Sequence, residues 1–173
     1  MLIIYDFISY TDVFTYNITT LESLLIYAMK TILYQSDYLG NGFEFATINQ
    51  PDDYEGKVVA TVIRKQCSMP SNKAVLYVHG FNDYFFQSDM AHRFNEKEYH
   101  FYAIDLRKYG RSTLPHHKSN NMRSLTEYFA DLDEALDIIR QEGNEQVLLS
   151  GHSTGGLLVT LYASERVGNE KFD

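Results

Sequence analysis

Residues 146–159 read QVLLSGHSTGGLLV, and this stretch decides the fold of the 173-residue chain. An apolar run of strand length precedes a glycine-rich turn, and a second apolar run of helix length follows it. Gly151, Ser153 and Gly155 fit the pattern G-x-S-x-G, in which a serine occupies a sharp turn between strand and helix. The stretch therefore predicts a strand, a bend at Ser153 and a helix that begins at Thr154.

The predicted bend makes Ser153 a candidate nucleophile. A serine at such a turn adopts a strained backbone conformation, while glycines two positions before and after it let the strand and helix approach each other closely. Its hydroxyl is then exposed above the end of the sheet. Because Thr154 begins the helix, its N–H would point toward negative charge that forms near Ser153. We expect Thr154 to supply one donor of an oxyanion hole.

A second oxyanion donor is expected in the turn after an earlier apolar run. AVLYV at 74–78 has the length and composition of a buried strand, and His79 and Gly80 follow it. The backbone N–H of Phe81, just after this glycine, is the candidate donor. The alternative is an ordinary strand-ending turn with no part in catalysis.

Short apolar strands alternate with helical segments along the chain. HFYAID at 100–105 is another strand, and the segment before it can form a helix with Asn82 or Asp83 as its N-cap. Ser124 and Glu127 form a capping box that opens a further helix. Continuous apolar strands separated by helices are typical of parallel sheets covered on both faces. We therefore predict the class α/β, with a mostly parallel sheet flanked by helices.

Two further patterns refine this prediction. FEFATIN and KVVATVIRK, within residues 43–65, alternate apolar and polar side chains, which predicts an antiparallel strand pair. The helix that opens at Ser124 carries an apolar stripe and ends before Gly143. Its acidic residues are expected to lie mostly on the outer, solvated face: Asp131, Asp133, Glu134 and Asp137.

Composition argues against several classes of partner. The 23 acidic residues outnumber the 15 basic ones and give a net charge of −8, so nucleic acid is not expected to bind. Cys67 is the single cysteine, so no internal disulfide can form and a reducing, cytoplasmic location is expected. It lies in a linker-like polar run, which disfavours a nucleophilic role. Asp6 and Asp12 interrupt the apolar N-terminus, so we expect neither a signal peptide nor stable membrane insertion.

Three ordered motifs, HGFNDYF at 79–85, DLRKYGRS at 105–112 and GHSTGG at 151–156, resemble the first half of an α/β-hydrolase. From about residue 40 onward the chain is similar to the group that includes the serine aminopeptidases (S33) and the monoacylglycerol lipase-like, or lysophospholipase-like, enzymes. The resemblance implies the α/β-hydrolase fold and a serine hydrolase that needs no cofactor and no metal.

The resemblance also implies a role for each matched residue. Ser153 would be the nucleophile, and the N–H groups of Phe81 and Thr154 would form the oxyanion hole. Further residues would support the surrounding loops structurally: His79, Gly80, Asp105, Arg107, Gly151 and Gly155. Lys108 stands where many relatives carry glycine, and we expect this departure to change only the local turn.

The resemblance leaves the rest of the catalytic triad without matched residues. In this fold the acid and the histidine follow the serine along the chain, and residues 168–173 contain no histidine. We therefore expect both triad partners to be absent from the chain. His152 is expected to point away from its neighbour Ser153, and His79 to be buried scaffold. His116 and His117 are expected to point to opposite sides, which disfavours a metal pair.

Domain organisation follows from the same resemblance. Residues 29–173 would form a partial α/β-hydrolase domain that lacks the C-terminal strands and the cap. Residues 1–28 contain no Lys or Arg and form an atypical extension. Three interpretations of the extension stay open: an element packed on the domain, a translated leader with Met29 as the usual start, or a functional anchor.

Two function classes compete. The first is a serine hydrolase that acts on small carboxylic esters, lipid esters among them, through Ser153, with little activity in this chain alone. The second is a non-catalytic α/β-hydrolase-like module that binds a ligand or a partner. The intact pattern around Ser153 favours the hydrolase.

Overall fold

A sheet of six strands lies at the centre of the structure, a computed structural model that describes residues 32–166 and residue 172. The strands are β1 (Gln35–Ser36), β2 (Glu44–Asp53), β3 (Gly56–Lys65), β4 (Lys73–Val78), β5 (His100–Asp105) and β6 (Gln146–Gly151). The helices are α1 (Ser88–Asn95), α2 (Phe129–Gln141) and α3 (Thr154–Glu165), with 3-10 turns at Gly110–Ser112 and Leu125–Tyr128. The predictions for residues 1–28 lie outside the described residues.

The order of strands across the sheet is β1-β2-β3-β5-β4-β6. Strand β4 pairs in parallel with β5 and with β6, so these strands and helices α1 to α3 form the predicted α/β arrangement. The predicted antiparallel pair is also confirmed, because β2 runs antiparallel to β3. The expectation of a mostly parallel sheet holds for β4, β5 and β6, whereas the described pairs β1–β2, β2–β3 and β3–β5 are antiparallel.

Strand β3 corrects one sequence prediction. Alternation of apolar and polar residues was expected in both strands of the pair, and β2 does alternate between buried and exposed positions. In β3, however, every residue from Val58 to Ile63 is buried. The reason is that both faces of the sheet are covered at β3: Ile63 packs in a cluster with Ala91 of α1 on one face, and Val62 is fully buried on the other. Thr61 tolerates this burial because its hydroxyl accepts a hydrogen bond from Ser112.

Helices cover both faces of the sheet. On one face, an aromatic cluster that includes Tyr77, Phe85 and Phe101 packs with Ala91 of α1. Side chains alternate along a strand, so Tyr102 faces the other side, where its hydroxyl donates to Glu142 at the end of α2. Helix α3 joins α2 on that side: the ring of Tyr162 packs edge-on against Phe129 of α2.

Helix boundaries confirm one predicted cap and correct another. Ser124 and Glu127 form the predicted capping box, which opens the 3-10 turn that leads into α2. Helix α1 begins at Ser88 with Gln87 as its N-cap, not near Asn82 or Asp83 as predicted. The segment after β4 stays a loop because the N–H of Phe85 donates to the buried Asp105 side chain instead of to a helical carbonyl.

Strand β6 occupies one edge of the described sheet. Its face on the α1 side is incompletely covered, since 44% of Leu148 is exposed. None of the described helices combines the length and the apolar character that crossing a bilayer requires.

Lys108 ties two distant parts of the fold together. Its side chain is 1% exposed, and its Nζ lies 2.6 Å from Asp53 Oδ2 and 2.8 Å from Glu55 Oε2 in the turn between β2 and β3. The ring of Tyr54 lies 4.2 Å from the same nitrogen. The backbone φ of 66° at Lys108 explains why glycine suits this position, but the expectation that lysine changes only the local turn is wrong. The ammonium anchors the loop after β5 to the β2–β3 turn.

This anchor predicts a pH-dependent stability. The hydrogen bond from Lys108 lowers the pKa of Glu55 from 4.5 to about 2. At Asp53 burial raises the pKa of the carboxyl group, but the hydrogen bond and the charge of Lys108 outweigh it and lower that pKa. A carboxylate with a lowered pKa stabilises the folded state above its unfolded pKa, and this contribution is lost as the pH falls toward the folded pKa. Lys108→Met should therefore lower the urea midpoint at neutral pH, and the deficit should shrink below about pH 4.5.

Lys97→Met is the matched control, because Lys97 is exposed. Its urea midpoint should match that of the wild type at every pH. A deficit of Lys108→Met that stays constant from neutral pH down to about pH 3 would show that the ion pairs do not cause it.

Candidate active site

Ser153 lies at a strained bend between β6 and α3. Its backbone has φ 53° and ψ −121°, a combination that costs free energy for any residue with a side chain. The residue is exposed, so its hydroxyl faces solvent above the end of the sheet. This is the backbone geometry that the G-x-S-x-G pattern predicts, and it presents a single oxygen for reaction.

Two glycines permit the bend. A Cβ on Gly155 would lie 2.3 Å from the backbone oxygens of Val78 and His79, so α3 can begin here only because residue 155 has no side chain. A Cβ on Gly151 would lie 2.5 Å from the carbonyl carbon and oxygen of Gly155. Both contacts are with backbone, which cannot move aside as a flexible side chain can. Glycine is therefore required at both positions by packing, as predicted.

The turn after β4 lies directly against the bend. A Cβ on Gly80 would meet Ser153 Cβ at 3.3 Å and His152 Nδ1 at 3.3 Å. Phe81 and Thr154 line one cavity of about 10 Å3, and neither backbone N–H donates to another described residue. The fold thus brings together the three groups singled out from the sequence: the Ser153 hydroxyl and two unpaired N–H donors.

His79 is buried beneath this turn and uses both ring nitrogens. Its Nε2 accepts from the N–H of Leu106 at 3.2 Å, so Nδ1 carries the proton and donates to the Gly80 carbonyl at 2.8 Å. Burial lowers the pKa of His79, which favours the neutral ring. The imidazole joins the loop after β4 to the loop after β5. This geometry suits the expected supporting role and leaves no nitrogen to take a proton from Ser153.

Asp105 organises the same two loops from the end of β5. Its Oδ1 accepts from the N–H of Phe85 at 2.8 Å. Its Oδ2 accepts from the N–H of Arg111 at 3.0 Å and from the Arg111 guanidinium at 2.8 Å. Arg111 also donates to Asp37 at 2.7 Å. The buried carboxylate thereby joins the loop after β4 to the loop after β5.

Arg107 forms a buried ion pair that corrects the prediction for Asp131. Asp131 was expected on the solvated face of its helix, but it is 0% exposed. Its carboxylate accepts from Arg107 Nη2 at 2.6 Å and from the Arg107 backbone N–H at 3.0 Å. Burial alone would lower the pKa of Arg107, yet Asp131 outweighs it and raises that pKa. The pair attaches α2 to the loop after β5. Of the other acidic residues, Glu134 is exposed as predicted.

The remaining histidines lie away from the bend, apart from the exposed His152. His100 bonds to Cys67 N–H and Ser71 O at the opposite end of β5. His116 and His117 were expected to point to opposite sides, but both contact the carbonyl of Lys57, at 3.0 and 2.9 Å. The shared acceptor turns both rings the same way. Among the described residues, no three His, Cys, Asp or Glu side chains converge on a position for a metal ion.

Three residues at the site were not singled out from the sequence: Tyr109, Arg111 and Tyr128. Tyr109 and Arg111 lie within the motif DLRKYGRS, so this motif could have identified them from the sequence. Tyr128 follows the capping box directly at an apolar-stripe position. A tyrosine in such a stripe signals a buried hydroxyl that needs a partner, but the sequence does not say which one.

Comparison with known proteins identifies the family of this chain. The profile of the family described as serine aminopeptidase, S33, matches residues 69–171, more than half of the chain. The chain belongs to the serine aminopeptidase S33 family. This S33 member therefore has the α/β-hydrolase fold, as expected.

Individual relatives of the S33 chain differ in chemistry. Mouse epoxide hydrolase 4 is 33% identical over 89 residues, which are 51% of this chain and 23% of that protein. A thermostable carboxyl esterase from Bacillus coagulans superposes with a TM-score of 0.61 at 19% identity, covering 73% of this chain and 41% of the esterase. An epoxide hydrolase from an endophytic Streptomyces superposes with a TM-score of 0.53 at 22% identity, covering 73% of this chain and 34% of the epoxide hydrolase. The chain thus spans less than half the length of each.

The glycine contacts at the bend predict a sharp difference between neighbouring positions. Gly155→Ala should lower the free energy of unfolding by about 3 kcal/mol, because its Cβ meets fixed backbone. Gly156→Ala is the control: its Cβ would lie 3.3 Å from the Gly151 oxygen, a contact that small shifts can relieve. It should change stability by less than about 1 kcal/mol, since alanine also favours the helix. Urea unfolding of both variants measures the difference, and equal effects would contradict the packing requirement.

The buried ion pair generates a second prediction. Asp131→Ala leaves the Arg107 guanidinium buried without its carboxylate and should lower the free energy of unfolding by about 3 kcal/mol. Glu134→Ala, on the exposed face of the same helix, should change it by less than about 0.5 kcal/mol. Thermal and urea denaturation provide the measurement. A small effect of Asp131→Ala would mean that water solvates Arg107 in its place.

Proposed function

We propose that this protein is a serine hydrolase that cleaves small carboxylic esters through Ser153. The observation that supports this most directly is the strained bend at Ser153 beside the two unpaired N–H groups of Phe81 and Thr154. Ser153 Oγ would attack the carbonyl carbon while a base takes its proton, and the two N–H groups would stabilise the oxyanion. Collapse of the tetrahedral intermediate expels the alcohol, and water then hydrolyses the acyl-serine ester.

The nucleophile favours esters over epoxides, despite the named epoxide hydrolases among the relatives. Attack of a serine oxygen on an epoxide carbon would give an alkyl ether, which water does not readily cleave, so the enzyme would be trapped after one event. Attack on an ester gives an acyl-serine that water can hydrolyse. Ser153 therefore supports acyl transfer, and esters, lipid esters among them, suit it better than peptides because an alcohol leaves more easily than an amine.

The base is proposed to come from outside the described residues. His79 has both ring nitrogens engaged, and the other described histidines apart from His152 lie away from Ser153. Loss of the histidine from a serine protease triad costs about a million-fold in turnover. We therefore propose that the 173-residue chain alone has little hydrolase activity. For the whole protein we propose a small ester as the substrate, no nucleic acid as a partner, and a reducing, cytoplasmic location.

A second candidate function is a non-catalytic module that keeps the fold and uses the exposed surface around Ser153 to bind a ligand. The same engaged His79 favours this candidate, because a binding module needs no base. The unpaired N–H donors beside Ser153 favour the hydrolase, because a module without catalysis gains nothing from the strain stored in the bend.

Labelling with a fluorophosphonate tests the proposal. The chain should label slowly, and added imidazole should accelerate labelling because it replaces the missing base. Ser153→Ala should abolish labelling. Ser164→Ala is the matched control, since Ser164 is an exposed serine on the same helix, and it should leave the rate unchanged.

Each other outcome has a distinct meaning. Labelling that persists in Ser153→Ala would disprove the nucleophile. Rapid labelling without imidazole would contradict the low activity and identify a base within the chain. No labelling at any imidazole concentration, together with specific binding of a small ester, would support the non-catalytic module.

A further inference from the structure

Asp37 places a buried carboxylate against Arg111 from the turn between β1 and β2. Its side chain is 1% exposed, and its two oxygens accept hydrogen bonds from Arg111 Nε at 2.7 Å and from Arg111 Nη2 at 3.0 Å. A bidentate pair of this kind fixes the plane of the guanidinium as well as its position. Asp37 precedes residues 69–171, so this contact lies outside the part of the chain that the family profile matches.

The fixed guanidinium holds Phe85 in the loop after β4. Arg111 Nη1 donates to the Phe85 carbonyl at 3.0 Å and to Asp105 Oδ2 at 2.8 Å, while Asp105 Oδ1 accepts from the Phe85 N–H at 2.8 Å. Burial would lower the pKa of Arg111, but the hydrogen bond to Asp37 and the charge of Asp105 outweigh it and raise that pKa. Both backbone polar groups of Phe85 are therefore held by one charged network.

The turn between β1 and β2 contacts Phe85 a second time. Phe43 ends this turn, is 2% exposed, and has its ring centroid 6.0 Å from that of Phe85. The N–H of Asp37 donates to the Phe43 carbonyl at 2.9 Å, so the carboxylate and the ring are joined across the turn. Phe85 is thus held by the turn through its side chain and, by way of Arg111, through its backbone.

The position of Phe85 affects the candidate oxyanion donor because both lie in one short loop. At the start of this loop, His79 Nδ1 donates to the Gly80 carbonyl at 2.8 Å. The Phe81 N–H follows Gly80 directly, and Phe85 comes four residues later. A short segment that is fixed at both ends has few backbone conformations left, so the contacts of Phe85 help to set where the Phe81 N–H points.

We propose that Asp37 is a positioning residue of the oxyanion site: by orienting Arg111, it fixes the loop that carries the Phe81 N–H. The assignment rests on the proposed ester hydrolysis, in which this N–H stabilises negative charge on the carbonyl oxygen. Asp37 itself touches no reacting atom and transfers no proton. A shift of about 1 Å in a positioned group can slow a reaction about 100-fold, so loss of this carboxylate should slow the reaction at Ser153 without removing the donor.

Fluorophosphonate labelling of the full chain with imidazole tests this role in Asp37→Asn, which keeps the shape of the side chain and removes its charge. At a temperature at which circular dichroism shows both proteins folded, the labelling rate constant at saturating probe should fall on the order of 10-fold. The probe concentration that gives half of the maximal rate should stay the same, because the loop stabilises developing charge rather than the bound probe. A purely structural role predicts an unchanged rate constant in the folded protein.

Glu44→Gln is the matched control, because Glu44 begins β2 beside the same turn. Its partner Arg64, 2.8 Å away, bonds to Glu142 at the end of α2 rather than to the loop after β4, so the rate constant should match that of the wild type. Arg111→Gln should label slowly. Adding Asp37→Asn to it should slow labelling no further, because Asp37 acts through Arg111.

Three labelling results would overturn the proposal: an unchanged rate constant in Asp37→Asn, an equal fall in Glu44→Gln, or further slowing in the double variant. Amide hydrogen exchange adds a measurement that does not depend on Ser153. Asp37→Asn should speed exchange of the Phe85 N–H but not of the amides in β4, whereas a global loss of stability would speed both. Unchanged exchange at Phe85 would also overturn the proposal.

Failure of the proposed function gives a different pattern. If the wild type does not label at any imidazole concentration, or if Ser153→Ala still labels, the hydrolase proposal fails and the role of Asp37 in catalysis fails with it. Faster exchange at Phe85 in Asp37→Asn would then still show that Asp37 holds the loop.

Discussion

The contact between Gly155 and the end of β4 is the constraint on which the site depends. The first turn of α3 packs so close to the backbone oxygens of Val78 and His79 that a Cβ at residue 155 would lie 2.3 Å from them. This closeness forces the chain to reverse at Ser153 in a strained conformation. It also brings the N-terminus of α3 beside the loop after β4, so both candidate donors face one cavity. Without this close contact, the Ser153 hydroxyl and the two candidate donors would no longer lie side by side.

Buried charges hold the loops around this contact. The loop after β5 contains little regular structure, yet three of its residues form ion pairs with different parts of the fold: Arg107 with Asp131, Lys108 with Asp53 and Glu55, and Arg111 with Asp37 and Asp105. Such pairs add modest net stability because desolvation offsets attraction, but breaking one is costly. The ion pairs therefore act mainly by allowing a single arrangement of the loop. That arrangement sets the shape of the cavity near Ser153.

Local patterns predicted the parts of the fold that depend on neighbouring residues. The capping box at Ser124 and the antiparallel pair within residues 43–65 follow from short-range hydrogen bonding and turn composition, and both are present. Predictions failed where a distant partner decides. Asp131 looked like a surface residue until Arg107 paired with it, and Lys108 looked like a turn residue until its ammonium reached the β2–β3 turn. His116 and His117 failed for the same reason, because they share the distant carbonyl of Lys57.

The sequence by itself determined the class of the fold, the bend at Ser153 and the need for glycine on either side of it. These follow from composition and spacing, because a strand, a turn and a helix are specified by residues close together in the chain. The tertiary structure alone decided which polar groups meet: that His79 uses both nitrogens in holding loops, that Asp131 is buried, and that Tyr128 reaches the cavity beside Phe81 and Thr154. Burial and hydrogen bonding between distant segments depend on how the helices pack on the sheet, and no short pattern encodes that packing.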